Sequence, residues 1–184
     1  VTWDALKKHL NVRDDEALRE ALGIDFRYLV MEPSEGFKRE AKLVYPFGLF
    51  KVVGEGILED EWGVRYQVTG SGLHLMYLYH PLAEVNDPDE YEFPDPHAPG
   101  RFEKAEQDAK KYRDKYVLEA FLHQTLFEWA WGLRGFRKFI RDLYTNPRFV
   151  EKLLDKLMRH RVEVGKIYLE MEPDIIQLGA VSYT

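Results

Sequence analysis

Three short apolar runs, each preceded by a stretch with helical character, constrain the fold of this chain more than any other feature. They are IDFRYLVM at 24–31, YVLEAFL at 116–122 and DIIQLGAV at 174–181. Compact apolar runs of this length are typical of strands that a parallel sheet buries on both faces. We therefore predict that residues 24–30, 116–122 and 174–181 are neighbouring or nearly neighbouring parallel strands of one sheet in an α/β protein.

Helix signals precede all three runs. Acidic residues at 14–16 suit a helix N-terminus, and Gly23 suits the C-terminal cap before the first strand. A polar helix is predicted over 102–112. Asn146 followed by Pro147 marks the start of a long helix, because asparagine caps and proline fits the first turn. The predicted buried face of that helix consists of Phe149, Val150, Leu153, Leu154, Leu157 and Met158.

The middle of the chain has a different pattern. VRYQV and LHLMYLY are separated by TGSG, which predicts an antiparallel hairpin over 64–79. We take about 49–79 as a β-hairpin insertion within a single domain that spans 1–184. The acidic, proline-rich stretch 81–100 is predicted to be an extended surface connection, because proline removes backbone donors.

Composition narrows the possible functions. With 26 basic and 32 acidic residues, the net charge is -6, which argues against nucleic-acid binding through cationic phosphate contacts. There is no cysteine, so a disulfide scaffold and a zinc site made of thiolates from this segment are both excluded. No apolar run approaches the roughly 20 residues that span a bilayer. These features favour a cytoplasmic location without a membrane partner.

Four segments together resemble the uroporphyrinogen decarboxylase superfamily. They are DEWGVRYQV, YHPLAEVNDPDEYEFPDP, TLFEWAWGLRGFRKFIRDLYTNPRFVEKLLDKL and DIIQLG, in this order along nearly the whole chain. The resemblance is to a divergent branch of decarboxylase-like proteins and corrinoid methyltransferases. It implies a (β/α)8 TIM barrel, of which this chain would supply about the N-terminal half with an extra β-hairpin.

The same resemblance implies an enzyme whose ligand is a tetrapyrrole or a methyl carrier. The first hypothesis is methyl transfer involving a corrinoid carrier. In that case a partner protein would hold the corrinoid, and a C-terminal half beyond this segment would bind zinc. One alternative is a uroporphyrinogen decarboxylase of porphyrin biosynthesis. Another is a catalytically silent binding or assembly protein, since Ala180 and Val181 stand here where an acidic pair usually follows QLG.

Alignment within the family singles out two of three candidate site residues. Glu32 falls near the carboxylate that holds pyrrole N–H groups, although an exposed loop glutamate before Pro33 is the alternative. Trp129 falls near an active-site tyrosine and could stack on a ligand, although a core tryptophan on a helical stripe is the alternative. His123 follows a predicted strand and could titrate near neutrality, unless it is an incidental loop residue. Glu32 and His123 are thus predicted to be catalytic, and Trp129 substrate-binding.

No metal site is predicted within this segment. His74 and His80 would share a face of one strand, but six residues at about 3.3 Å each separate them by roughly 20 Å. Two ligands of one zinc ion lie far closer than this. The adjacent Asp60 and Glu61 would point to opposite faces of an extended segment, so we predict a structural role for the DEWG motif.

A half barrel would leave its last strand at an open edge. A strand such as 174–181, apolar on both faces, would then expose unpaired backbone groups. We therefore expect either a homo-oligomer that completes the sheet or the remainder of a longer chain.

Overall fold

The computed structural model describes residues 2–44, 48–70, 74–122, 124 and 126–179. Helices and strands alternate irregularly along these ranges, with a short 3-10 helix at Pro88–Glu90. The helices are α1 (Thr2–Leu10), α2 (Asp15–Ala21), α3 (Glu35–Glu40), α4 (Glu103–Tyr112), α5 (Leu126–Arg134), α6 (Phe136–Thr145) and α7 (Pro147–Leu169). The strands are β1 (Phe26–Leu29), β2 (Lys42–Val44), β3 (Gly48–Gly54), β4 (Ile57–Glu59), β5 (Arg65–Thr69), β6 (His74–Tyr79), β7 (Val117–Leu122) and β8 (Ile175–Leu178).

The three apolar runs form one parallel sheet in the order β1-β7-β8. Leu29 lies opposite Ala120, and Ala120 lies opposite Ile176, so the strands are in simple parallel register. The prediction that these runs are parallel neighbours is confirmed, although β8 ends at Leu178 and the last two residues of the predicted strand lie outside the described residues.

The remaining strands form a separate five-stranded antiparallel sheet in the order β2-β3-β4-β5-β6. The predicted hairpin is present as β5 and β6, with Val68 opposite Leu75. However, this hairpin is part of a larger meander that already begins at Lys42. The predicted incomplete (β/α)8 TIM barrel is wrong, because the described strands form an open three-stranded parallel sheet and a separate five-stranded antiparallel sheet.

The connections between strands explain this difference. A parallel neighbour requires a crossover of about a dozen residues or more, usually through a helix. Between β2 and β6 the described chain contains no helix, and short turns such as the one at Asp60–Gly63 reverse its direction instead. Each new strand therefore pairs antiparallel with the preceding one, and the parallel sheet resumes only after α4.

Two apolar clusters hold the elements together. The first lies between the parallel sheet and helices α4 and α7, and it includes Leu29, Ala120 and the fully buried Tyr168. The second surrounds the first half of α7, where Leu153 and Leu157 pack against residues of α5, α6 and the antiparallel sheet. Helix α7 contributes to both clusters, so it joins the two sheets.

None of the helices in the described ranges is both long enough and apolar enough to cross a membrane.

Candidate functional site

Glu32 lies just beyond the carboxyl end of β1. Its side chain is 35% exposed, and its carboxylate accepts a hydrogen bond from Lys38 Nζ at 2.5 Å. The same ammonium group donates to the carbonyl of Gly100 at 2.5 Å. Glu32 therefore combines solvent access with a fixed cationic partner from α3.

A buried ion pair supports the backbone around Glu32. Arg101, whose side chain is 3% exposed, donates through both terminal nitrogens to the two carboxylate oxygens of Glu61 at 2.8 and 3.0 Å. One of those oxygens also accepts a hydrogen bond from the backbone N–H of Ser34 at 3.0 Å. The Glu32 N–H donates to the Arg101 carbonyl at 2.9 Å. The glutamate of the DEWG motif thus connects the loop after β1 to the proline-rich segment, a structural role. The extended conformation on which that prediction rested is wrong, because Asp60–Gly63 form a turn.

Gly100 lies where only glycine fits. Its φ is +88°, and an added Cβ would lie 2.8 Å from the backbone nitrogen of Glu35. We expect Gly100→Ala to lower the free energy of unfolding by about 1–3 kcal/mol, because it combines backbone strain with a steric clash.

Urea unfolding would measure this loss, with Gly36→Ala as the control. Gly36 lies in helix α3 with no neighbour closer than 4.0 Å, so alanine there should be neutral or stabilising. Equal stabilities for the two variants would contradict the close packing of Gly100 against α3.

A cavity of about 300 Å³ lies along the free edge of β1, between α2 and α4. Four residues of β1 and the loop after it line the cavity. Arg27 and the exposed Tyr28 belong to the strand, and the exposed Val30 and Glu32 follow it. The other lining residues come from the two helices and are Glu16, Arg19, Lys104, Asp108 and Tyr112. The cavity is therefore a charged cleft with one apolar and aromatic wall.

Arg27 is the anchor of this cleft. Its guanidinium donates to Glu16 at 2.6 and 2.9 Å, to the carbonyl of Ile24 at 2.7 Å, and lies 3.6 Å from the centre of the Tyr116 ring. Although burial opposes ionisation of Glu16, the hydrogen bonds and charge of Arg27 lower its pKa below the usual value. Arg27 and Glu16 therefore form a paired, largely neutralised floor of the cleft.

Trp129 lies elsewhere, in an aromatic cluster on α5. Its ring packs against Trp62 with centroids 4.1 Å apart and a tilt of 30° between the planes. Trp62 also contacts Phe93 at 5.1 Å and His160 at 4.9 Å between ring centroids. The indole nitrogen of Trp129 is buried and has no hydrogen-bond partner within the described part of the chain. This environment resembles a core tryptophan on a helical stripe, the alternative that the sequence left open.

The predicted site residues are not brought together by direct contact. Glu32 contacts Lys38 and belongs to the cleft, whereas Trp129 packs on Trp62. The link between them is indirect and runs through Glu61, the sequence neighbour of Trp62. His123 lies outside the described residues. Their catalytic and binding roles stay predictions.

Among the residues that the structure describes, no three His, Asp or Glu side chains are grouped to hold a metal ion.

The sequence did not point to Arg27, Arg101 or Lys38 as parts of this region. For Arg27 a signal was present, because a cation inside an apolar strand run indicates a buried, paired charge. For Arg101 there was none, since its partner Glu61 is 40 residues away in the chain.

In comparisons with known proteins, no family model, no curated protein and no solved structure matches this chain.

Proposed function

We propose that this chain serves methyl transfer, with the cleft beside β1 holding the small-molecule methyl acceptor and a methylated corrinoid carrier acting as the second substrate. The observation that carries the proposal is the position of Glu32, which lies three residues beyond the carboxyl end of β1 and lines the 300 Å³ cleft along the edge of that strand. In open α/β sheets, ligands generally bind beyond the carboxyl ends of the strands. The absence of cysteine supports a cytoplasmic place for this activity.

The size of the cleft decides which substrate it holds. Small-molecule sites usually measure about 300–1,000 Å³, so this cleft is at the lower limit. A corrin macrocycle does not fit inside it, and the same holds for a complete tetrapyrrole. The corrinoid therefore stays on its carrier protein, and no step is derived for it from the described residues.

Glu32 is one of three carboxylates that line the cleft, and it lies beyond the carboxyl end of β1, whereas Glu16 and Asp108 pair with Arg27 and Lys104. A carboxylate accepts hydrogen bonds from an N–H, O–H or S–H group and can take the proton that a nucleophile loses as it becomes methylated. Tyr28 and Val30 provide the apolar wall against which the rest of the acceptor packs. Lys38, 2.5 Å from the carboxylate, keeps Glu32 oriented.

The test measures the rate of methyl transfer from methylcobalamin to a small thiol. The change in corrinoid absorbance reports the reaction. We expect Glu32→Gln to reduce the rate about 100-fold, the lower end of what general acid–base groups contribute. The far-ultraviolet circular dichroism spectrum of the Glu32→Gln variant should match that of the unchanged protein. The control is Glu35→Gln, which alters an exposed glutamate on α3 that pairs with Arg39 and should leave the rate unchanged.

Equal rates for the unchanged protein and Glu32→Gln would remove Glu32 from the reaction. Loss of carboxyl groups from uroporphyrinogen, without methyl transfer, would replace the proposal by the decarboxylase alternative. If a ligand binds in the cleft and neither reaction occurs, the alternative of a binding protein replaces the proposal.

A further inference from the structure

Helix α6 carries cations for which the described residues offer no salt-bridge partner. Arg137, Lys138 and Arg141, with Arg148 just beyond the helix, form no ion pair with any residue the structure describes. Elsewhere on the surface, cations are commonly paired, as Lys104 is with Asp108 on α4. In a chain of net charge -6, these four cations form a locally basic surface, with the acidic Glu151 and Asp155 in the neighbouring groove.

Exposed aromatic and apolar side chains accompany these cations. Tyr144 is 86% exposed, Phe136 is 52% exposed and Leu143 is 42% exposed. Leu143 also lines a shallow groove between α6 and α7. Tyrosine and arginine are the residue types that most often dominate the energetics of protein–protein interfaces, whereas a purely solvated helix face needs neither. We call these α6 residues, together with Arg148, the basic surface.

A surface of opposite charge, made of exposed glutamates, lies on the side of α7 away from α6. Glu84, Glu90 and Glu92 are exposed and unpaired in the described ranges. The segment that carries them is held firmly, because Lys156 donates to the carbonyls of Pro88 at 3.0 Å and Tyr91 at 2.5 Å. We call these three glutamates the acidic surface.

The geometry of α7 keeps the two surfaces apart within one molecule. Lys152 and Lys156, one turn apart on α7, contact the acidic segment. Val150 and Leu154, which line the groove beside α6, lie on a different flank of the same helix. A single chain therefore cannot bring its basic surface onto its own acidic surface.

We propose that the basic surface of one copy docks on the acidic surface of a second copy of this chain. Reciprocal contacts about a two-fold axis would satisfy both surfaces of both copies and close the assembly as a dimer. Tyr144 and Phe136 lie at the centre of each contact, and the arginines pair with Glu90 and Glu92 around it. This interface uses neither the cleft beside β1 nor Glu32, so it stands independently of the proposed function.

Sedimentation equilibrium of the whole chain tests the proposal. At low salt we expect a dimer that weakens as ionic strength rises, because surface charge pairs are screened beyond about 10 Å at 0.1 M salt. The double variant Arg137→Glu, Arg141→Glu should raise the dimer dissociation constant at least about tenfold. Glu90→Lys, Glu92→Lys should do the same, and mixing the two double variants should restore association.

The control is Lys8→Glu, Lys110→Glu, which reverses two exposed cations on other helices and should leave the dissociation constant unchanged. A monomer at every salt concentration would overturn the proposal, and so would association that charge reversal does not alter. Binding of the unchanged chain, but not of Arg137→Glu, Arg141→Glu, to vesicles of anionic phosphatidylserine without self-association would also overturn it and assign the basic surface to a membrane.

Discussion

Asp142→Asn should destabilise this protein by about 3–5 kcal/mol, the cost of leaving one member of a buried ion pair unpaired. The partner is Arg134, whose Nε donates to Asp142 at 2.7 Å while the two side chains are only 4% and 6% exposed. The guanidinium also donates to the carbonyls of Leu82 and Val85 and lies 3.7 Å from the centre of the Phe149 ring. It therefore cannot move to water when its counter-charge is removed.

The measurement is the free energy of unfolding in urea, followed by circular dichroism. Glu163→Gln is the matched control, because Glu163 pairs with Lys166 on the exposed surface of α7, where screening by water leaves an ion pair little effect on stability. A loss below about 1 kcal/mol for Asp142→Asn would show that Arg134 is held by the carbonyl groups and the aromatic ring alone.

The strands could be predicted from the sequence because their signal is local. Each parallel strand is a compact apolar run, and the three runs pair as parallel neighbours. The burial on both faces that such runs predict is approached only in β7, whereas β1 alternates exposed and buried residues and β8 is exposed along its length. On α7 the 3.6-residue period correctly marked Phe149, Val150, Leu153 and Leu157, but Met158 is 48% exposed because the helix face there turns away from both clusters. The number and closure of strands is not a local property, and the barrel was inferred from resemblance rather than from these residues.

The candidate site was predictable only in part for the same reason. Glu32 could be placed beyond β1 because the strand itself was visible in the sequence. The cleft depends on Arg27, Glu16 and Tyr112, and the last two come from helices 96 residues apart in the chain. Patterns over short windows carry no information about such pairings. The aromatic environment of Trp129 likewise depends on Trp62, which belongs to the antiparallel sheet region.

Two buried titratable groups should give the stability of this protein opposing pH dependences. Burial raises the pKa of Asp60 from 3.8 to about 6, against the hydrogen bonds that it accepts from Tyr66 and two backbone N–H groups. Burial lowers the pKa of His160 from 6.5 to about 4, although its Nε2 faces the carbonyl of Pro94 at 2.9 Å. The two groups thus favour their neutral forms in the folded state.

The signs follow from proton linkage. A raised pKa means that the stabilising contribution of Asp60 is complete below pH 3.8 and is lost as the pH rises through about 6. A lowered pKa means that the contribution of His160 is complete above pH 6.5 and is lost as the pH falls through about 4. With each pKa change worth about 3 kcal/mol, the two contributions nearly cancel between pH 4 and 6.

Single variants should reveal how each group changes the free energy of unfolding with pH, because each variant removes one titratable group and leaves the other. In His160→Gln, the amide can still donate to the Pro94 carbonyl, and relative to the unchanged protein we expect stability to fall by about 3 kcal/mol as the pH rises from 4 to 6. In Asp60→Asn, the amide oxygen can still accept from the backbone N–H groups while the Tyr66 hydroxyl turns to accept. There we expect stability to rise over the same interval.

Urea unfolding at half-unit steps from pH 4 to 7 measures how the stability of each variant changes with pH. Each curve is compared with that of the unchanged protein, because the surface carboxylates are common to all three proteins and their effects then cancel. The double variant should again be nearly flat, because neither buried group remains to titrate. Parallel curves for all the proteins would mean that Asp60 and His160 titrate in the folded state as they do when unfolded. Burial in the turn of the DEWG motif and in the aromatic cluster around Trp62 would then be too shallow to disfavour their charged forms.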